Sequence, residues 1–397
     1  VGSSTPLINL IIGMFMGIAV GSGVIISQYY GAKSEDKMGW AVHTSIALSI
    51  IGGILLSVVG IVFSPSILRL MKTPPEVLDT SVLYFRIYFL GSLFNLLYNM
   101  GAGILQAVGD SRRPLIFLCI SSVTNIVLDL LFVAGFHMGV DGVAWATIIS
   151  QFVSAVLVMS ALMRTKDIYR LELRKIKIDK RMMKRILRLG IPSGIQQSII
   201  SLSNVVVQAN VNIFGSTVMA GFGAYNKVDG FVVLPMQSFC MAATTFTGQN
   251  IGAGKHDRAK LTLKYVLMIT VTYGLIMTII IQFVSVPLVG LFTNDGAVAV
   301  SGAGYLRSYA SDCIFAGIHF CLSGYFYAYG LSVISFIHNS ISIVCARIPL
   351  SYYASVHFKD TLFPMGCAAP AGSLISVVIC VGAFIWLEHH EDKYQNT

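Results

Sequence analysis

The chain has 397 residues, 55% of them hydrophobic and only 11% charged. A soluble domain carries about 25% charged residues, so this composition excludes an ordinary soluble protein and points to a polytopic membrane protein, in line with a mean hydropathy of +0.76. The formal net charge of +9 does not imply a nucleic-acid partner, because the positive residues sit in short stretches between long apolar ones.

About 20 apolar residues span a bilayer. On that measure eleven spans are predicted, over 4–27, 40–63, 81–107, 114–135, 140–163, 191–214, 226–248, 265–291, 302–328, 332–352 and 365–387. The stretch 164–189 separates five from six. It holds eleven Lys or Arg against three acids, Asp167, Glu172 and Asp179. A Lys or Arg at the bilayer centre costs roughly 2.5–3.5 kcal/mol, so this stretch is predicted to be a loop, and a short loop this basic stays cytoplasmic. Loops then alternate. The inside ones hold 20 of the 27 basic residues, including Lys33, Lys37, Arg112, Arg113, Lys255, Arg258 and Lys393. The outside ones hold Arg69, Lys72 and Lys359, and four basic residues lie within spans: Arg86, Lys227, Arg307 and Arg347. The domain reading is an N-terminal lobe over 1–163, the linker 164–189, a C-terminal lobe over 190–388 and a charged cytoplasmic tail over 389–397. The localisation that follows is a multi-pass protein of the plasma (inner) membrane.

The chain repeats itself at an offset of 221 residues. Gln28, Gly31, Ala32 and Asp36 meet Gln249, Gly252, Ala253 and Asp257; Tyr84, Arg86 and Tyr88 meet Tyr305, Arg307 and Tyr309. Gly142 and Ala144 meet Gly366 and Ala368 after a three-residue shift. The span 191–214 has no partner in the first half, and that partner is expected upstream of Val1. The fold class is therefore all-α, with two parallel-repeat helical lobes of six spans each, twelve expected and eleven present. Parallel repeats of this kind bind substrate between the halves and alternate access.

Ionisable groups inside spans are functional candidates by default. Asn125 and Asp129, four residues apart, share a face of their helix, and Thr147 enters the next span at a similar depth. A carboxylate with amide and hydroxyl oxygens can hold a proton or Na⁺; the alternative is a hydrogen-bonded structural Asp. Asp229 reads as lying near the outer end of its span, two residues from Lys227, a spacing too short for a same-face pair, so it is also a candidate cavity-facing acid for the cation or substrate. Arg86 and Arg307 read as helix anchors, and His319, His338 and Asn339 as packing groups. The seven Cys all fall in apolar segments without a C-x-x-C pair, so they read as small structural residues rather than disulfides or ligands. No H-E-x-x-H spacing exists, and no cofactor or metal is expected.

The ordered series STPLINL at 4–10, Gln28-Tyr-Tyr-Gly31-Ala32, Gln106-Ala-Val-Gly109-Asp110, Asn125-Ile-Val-Leu-Asp129, Gly142-Val-Ala-Trp-Ala-Thr147, Leu189-Gly-Ile-Pro192, Gln249-Asn-Ile-Gly-Ala253 and Arg347-Ile-Pro349 resembles the multidrug and toxic compound extrusion (MATE) transporters. The resemblance implies twelve helices in two lobes and a monomeric antiporter rather than an enzyme. Its partners would be small amphipathic, often cationic, substrates and membrane lipids, with H⁺ or Na⁺ as coupling ion. It also implies a cation site in the N-terminal lobe to which Asn125, Asp129 and Thr147 correspond, with Asn99 the nearest match for a further Asn. Some members use a C-terminal acid pair on their seventh and tenth helices. Here 191–214 has no acid, and Asp312 is expected to stand alone. The alternative function is a lipid-linked oligosaccharide flippase of the same superfamily, which would call for a strongly cationic cavity.

Overall fold

The computed structural model describes residues 5–70 and 75–390; Lys72 and the tail residues Glu391, Asp392 and Lys393 lie outside them. The described residues are helical, without strands. The helices are α1 (Thr5–Gly31), α2 (Glu35–Leu70), α3 (Pro75–Leu90), α4 (Ser92–Ala107), α5 (Arg112–Asp129), α6 (Val140–Arg164), α7 (Lys180–Val211), α8 (Ser216–Gly252), α9 (His256–Gly290), α10 (Gly296–Tyr309), α11 (Asp312–Ala328), α12 (Ser332–Ser342), α13 (Ile348–His357), α14 (Phe363–Gly366) and α15 (Ala368–His389). Two π-helical turns interrupt this order, Leu130–Gly135 after α5 and Ile343–Arg347 between α12 and α13.

The repeat is visible in the helix boundaries. Shifted by 221 residues, the ends of α1 and α4 fall on the ends of α8 and α11, and the starts of α2 and α3 fall on the starts of α9 and α10. The turns match too. Lys33 (φ 52°) and Gly254 (φ 70°) are equivalent, as are Gly109 (φ 97°) and Gly330 (φ 78°). The first half thus keeps a Lys in a left-handed turn for which Gly is the unstrained choice.

Two predicted spans are each broken. The stretch 81–107 bends by 42° at Gly91, between α3 and α4, and 302–328 breaks between Tyr309 and Asp312. Among the described residues, seven helices are long and apolar enough to cross a membrane, and α3 with α4 makes an eighth as a bent pair. Of the remaining predicted spans, α10 and α11 are individually too short at 14 and 17 residues. α7 is long, but its face carries Gln196, Gln197, Asn204, Gln208 and Asn210.

The chain forms two compact units, residues 1–194 and 195–397. In the first, Leu56, Leu68, Phe85, Phe89 and Leu96 form a core between α2, α3 and α4. Gly60 leaves the space in which the Phe89 ring sits, since a Cβ there would lie 2.1 Å from it. The unit boundary falls inside α7. The first half of α7 meets α1 backbone to backbone, where a Cβ on Gly17 would lie 2.2 Å from the Gly194 nitrogen. The basic segment is not one loop as expected, because its last ten residues are the first turns of α7. Asp179 caps that helix by accepting the Met182 N–H at 2.9 Å. Met182, Ile186 and Leu189 are buried on one face, with the charges on the other, the pattern of an amphipathic helix.

In the second unit α8 packs against α9, α10 and α11. Val207, Phe222, Tyr225, Val232, Met236, Ile281 and Tyr305 lie in its main core. A Cβ on Gly302 would lie 2.4 Å from the Gly221 carbonyl oxygen, so α8 and α10 cross through glycines. Arg307 anchors as expected: its Nε donates to Ser285 Oγ at 2.7 Å.

Candidate functional site

Each unit holds a carboxylate beside a pair of stacked tyrosines, and the repeat supplies the tyrosines. Tyr84 and Tyr88 stack at 6.2 Å with 25° between planes. Their equivalents Tyr305 and Tyr309 stack at 6.1 Å with 22°. The acids are not equivalent. At the 221-residue offset Asn125 and Asp129 correspond to Ala346 and Leu350, and Asp312 corresponds to Gly91. Both halves kept the aromatic platform, and each brought its own charge from a different helix.

In the first unit Asp129 ends α5, immediately before the π turn Leu130–Gly135. Such turns are rare and recur at functional sites. Asp129 Oδ1 and Asn125 Nδ2 are buried without a hydrogen-bond partner. Two contacts set the register of α5 on α6. The Ser121 hydroxyl donates to the Ser150 carbonyl at 2.6 Å, and a Cβ on Gly142 would lie 3.2 Å from Phe132 Cβ. Between them, Thr147 falls near the level of Asn125, and Asp129 lies four residues on, about 6 Å along the axis. The Thr147 hydroxyl donates to the Val143 carbonyl at 2.9 Å, which leaves its lone pairs free to accept. Tyr84 on α3 interacts electrostatically with Asp129. Among the described residues no Lys, Arg or His forms an ion pair with Asp129. Asn99 is elsewhere. Its amide donates to the Asn95 carbonyl at 2.8 Å and to Asn95 Oδ1 at 3.0 Å. It lines a narrow crevice with Phe15, Ile18, Leu48 and Leu96.

In the second unit Asp312 does not stand alone. It opens α11 just after the break and is 6% exposed. Asp229 lies thirteen residues into α8, about 20 Å from its start rather than near its end. The two carboxylates interact electrostatically, and Tyr309 lies beside both. Ser373 on α15 lies close to Asp312. One oxygen of each acid, Asp229 Oδ1 and Asp312 Oδ1, is still buried without a partner. Arg347, at the end of the second π turn, interacts with both acids and donates to Asn204 Oδ1 at 2.9 Å. Lys227 turns away to the Phe292 ring, 5.7 Å from its centroid. Sequence reasoning gave Arg347 no role; its charge inside an apolar span was the available signal. What joins it to Asp229 and Asp312 is the packing of α8, α11 and the π turn.

His319 and His338 pack as expected. His338 is fully buried and bonded to Ser323 Oγ at 2.8 Å and Ser376 Oγ at 3.2 Å, with the His319 ring 5.6 Å away. The seven cysteines are free thiols, and no group of His, Cys, Asp or Glu among the described residues has the arrangement of a metal site.

Both sites have the same arithmetic. Counted as ionised, Asp129 carries an unpaired negative charge. Asp229, Asp312 and Arg347 together also leave one. A buried carboxylate oxygen without a donor is costly, and one proton or monovalent cation completes either site.

The MatE family model matches residues 1–131 and 192–353. The chain belongs to the MatE family. It is 30% identical over 395 residues to Probable multidrug resistance protein YoeA of Bacillus subtilis, covering 97% of this chain and 85% of that one. It is 25% identical over 325 residues to Multidrug export protein MepA of Staphylococcus aureus, covering 82% of this chain and 72% of that one. A solved structure described as the outward-facing conformation of a multidrug resistance MATE family transporter superposes with a TM-score of 0.90 at 22% identity, covering 100% of this chain and 88% of that one. This MATE protein is thus a multi-pass membrane transporter of the multidrug efflux family and not an enzyme.

Proposed function

We propose that this MATE protein exports amphipathic, often cationic, organic compounds in exchange for H⁺ or Na⁺, with Asp129 as the coupling acid and Asn125 and Thr147 as supporting ligands. The observation that carries this reading is the buried, partnerless Oδ1 of Asp129 in a unit that offers it no countercharge among the described residues. A coupling ion must bind one conformation more tightly than the other, since equal affinity shifts no equilibrium. An acid that is short of one positive charge meets that need, because its affinity for an ion changes with its access to water. The names of the relatives YoeA and MepA, a probable multidrug resistance protein and a multidrug export protein, support efflux of drugs. A second reading has its own support. Asp229 and Asp312 share Tyr309 and are also one charge short, so coupling could rest in the second unit. The flippase alternative gains nothing: of the four basic residues predicted within spans, Arg86 is exposed, Lys227 lies on Phe292, Arg307 is bound to Ser285 and Arg347 faces acids.

The test is drug uptake into everted membrane vesicles under an imposed pH or Na⁺ gradient. Asp129→Asn keeps shape and removes the charge. It should abolish gradient-driven uptake while leaving expression and equilibrium drug binding measurable. Wild-type uptake by Asp129→Asn together with loss in Asp312→Asn would move the coupling site to the second unit.

A further inference from the structure

The basic segment between α6 and α7 is left unused by the efflux chemistry, yet it is firmly built. Its backbone is pinned at three points. The Leu171 N–H donates to the Leu162 carbonyl at 2.9 Å, the Glu172 N–H to His43 Nε2 at 3.1 Å and the Asp179 N–H to Thr44 Oγ1 at 3.1 Å. The accepting role of His43 Nε2 follows from its other nitrogen, which donates to the Gly39 carbonyl at 2.6 Å. Tyr169 and Leu171 are buried beneath the segment at 6% and 1% exposure.

This anchoring turns every charge outward: all eleven Lys and Arg of 164–189 are exposed. The three acids are engaged elsewhere. Asp167 accepts from the Tyr30 hydroxyl and the Ile168 N–H, Asp179 caps α7, and Glu172 pairs with Lys175. Arg164, Lys166, Arg170, Arg174, Lys177 and Lys180 form no ion pair among the described residues. Two aliphatic side chains, Leu173 and Ile178, are exposed among them.

We propose that this surface binds the phosphate headgroups of anionic phospholipids in the adjoining leaflet and holds the linker against the membrane. A row of cations directly after a membrane span gains roughly fivefold in affinity for an anionic surface per Lys or Arg near it. Apolar side chains interleaved with cations are the pattern of a segment lying in the headgroup boundary. They would be wasted on a soluble polyanion, which offers them nothing to enter. The inference rests on the segment's position at the end of α6, not on which acid couples transport.

The experiment reconstitutes the full chain in nanodiscs of mixed phosphatidylcholine and phosphatidylglycerol and weighs the retained lipids by native mass spectrometry. Phosphatidylglycerol should be enriched at least about fivefold over its bulk ratio, as one well-placed cation alone would give. The enrichment should fall as salt is raised, and it should drop severalfold, without reaching the bulk ratio, in the Arg174→Gln, Lys175→Gln, Lys177→Gln, Lys180→Gln variant, which keeps the other seven cations of the segment. The same number of neutralisations at Lys33, Lys37, Lys255 and Arg258 should leave it largely intact. Retention at the bulk ratio in the wild type overturns the proposal. So does equal loss in the second variant, which would assign the effect to net charge. Displacement of the lipid by inorganic phosphate at comparable concentration would assign the site to a soluble anion and also overturn it. Should the linker variant unfold, Lys177→Gln, Lys180→Gln takes its place in the same comparison with Lys33→Gln, Lys37→Gln, and an equal loss in the two overturns the proposal.

Discussion

Tyr88 and Tyr309 are a matched pair on which the cost of one hydroxyl can be read. They occupy equivalent positions of the repeat and stack on their partners at 6.2 and 6.1 Å. Replacing either by Phe keeps the ring and its packing. At Tyr309 the lost hydroxyl lies beside the carboxylates of Asp229 and Asp312, to which it can donate; around Tyr88 the interacting group is Tyr84. A hydrogen bond to a charged group contributes about 1.5–3 kcal/mol, an ordinary one about 0.5–1.5. With the hydroxyl serving one carboxylate at a time, Tyr309→Phe should cost about 1.5–3 kcal/mol. Tyr88→Phe should cost no more than the ordinary bond. In units of this size 1 kcal/mol moves Tm by about 2–4 °C, so Tyr309→Phe should lower Tm by about 3–12 °C and Tyr88→Phe by clearly less. Thermal unfolding of the purified protein in detergent, followed by intrinsic fluorescence, measures both. Equal falls in Tm would show that Tyr309 acts through its ring and that the acids do not depend on its hydroxyl.

The α8–α10 crossing makes a second pair: Gly302 has the Gly221 carbonyl 2.4 Å from an added Cβ, whereas Gly304 has nothing within 4 Å. Gly302→Leu should therefore cost about 1–3 kcal/mol, as is typical of overpacking, and reduce the yield of folded protein, while Gly304→Leu should be tolerated in the same size-exclusion assay. The charge distribution makes a topological prediction: single Cys at Arg112, Lys175 or Lys255, in a background without the native thiols, should resist an impermeant thiol reagent applied to intact cells, and labelling of any one of them would break the alternation of loops.

Much of the architecture was readable before any coordinates. Apolar length marks a span because lipid cannot satisfy backbone polar groups, and the eleven-cation segment could not enter the bilayer for the opposite reason. The 221-residue offset needed only Tyr84, Arg86 and Tyr88 to recur with their spacing, and the helix boundaries follow it to the residue at four ends. The pairing of Asn125 with Asp129 was likewise local, because residues four apart share a helix face.

What the sequence could not convey was where helices break and which distant charges meet. Gly91 lies in a run apolar enough to span, and hydropathy does not register a bend there or at the Ala310–Ser311 junction. The π turns after Asp129 and before Arg347 alter the register by a residue that no periodicity reveals. Asn99 has the right composition for the first site, yet the rotation of α4 aims it at the α1–α2 cleft. Asp229, Asp312 and Arg347 are separated by 83 and 35 residues on three elements. One-dimensional order carries no distance between them, so only the packing of α11 on α8 and α15, with the second π turn against α15, makes two isolated acids a single site short of one positive charge.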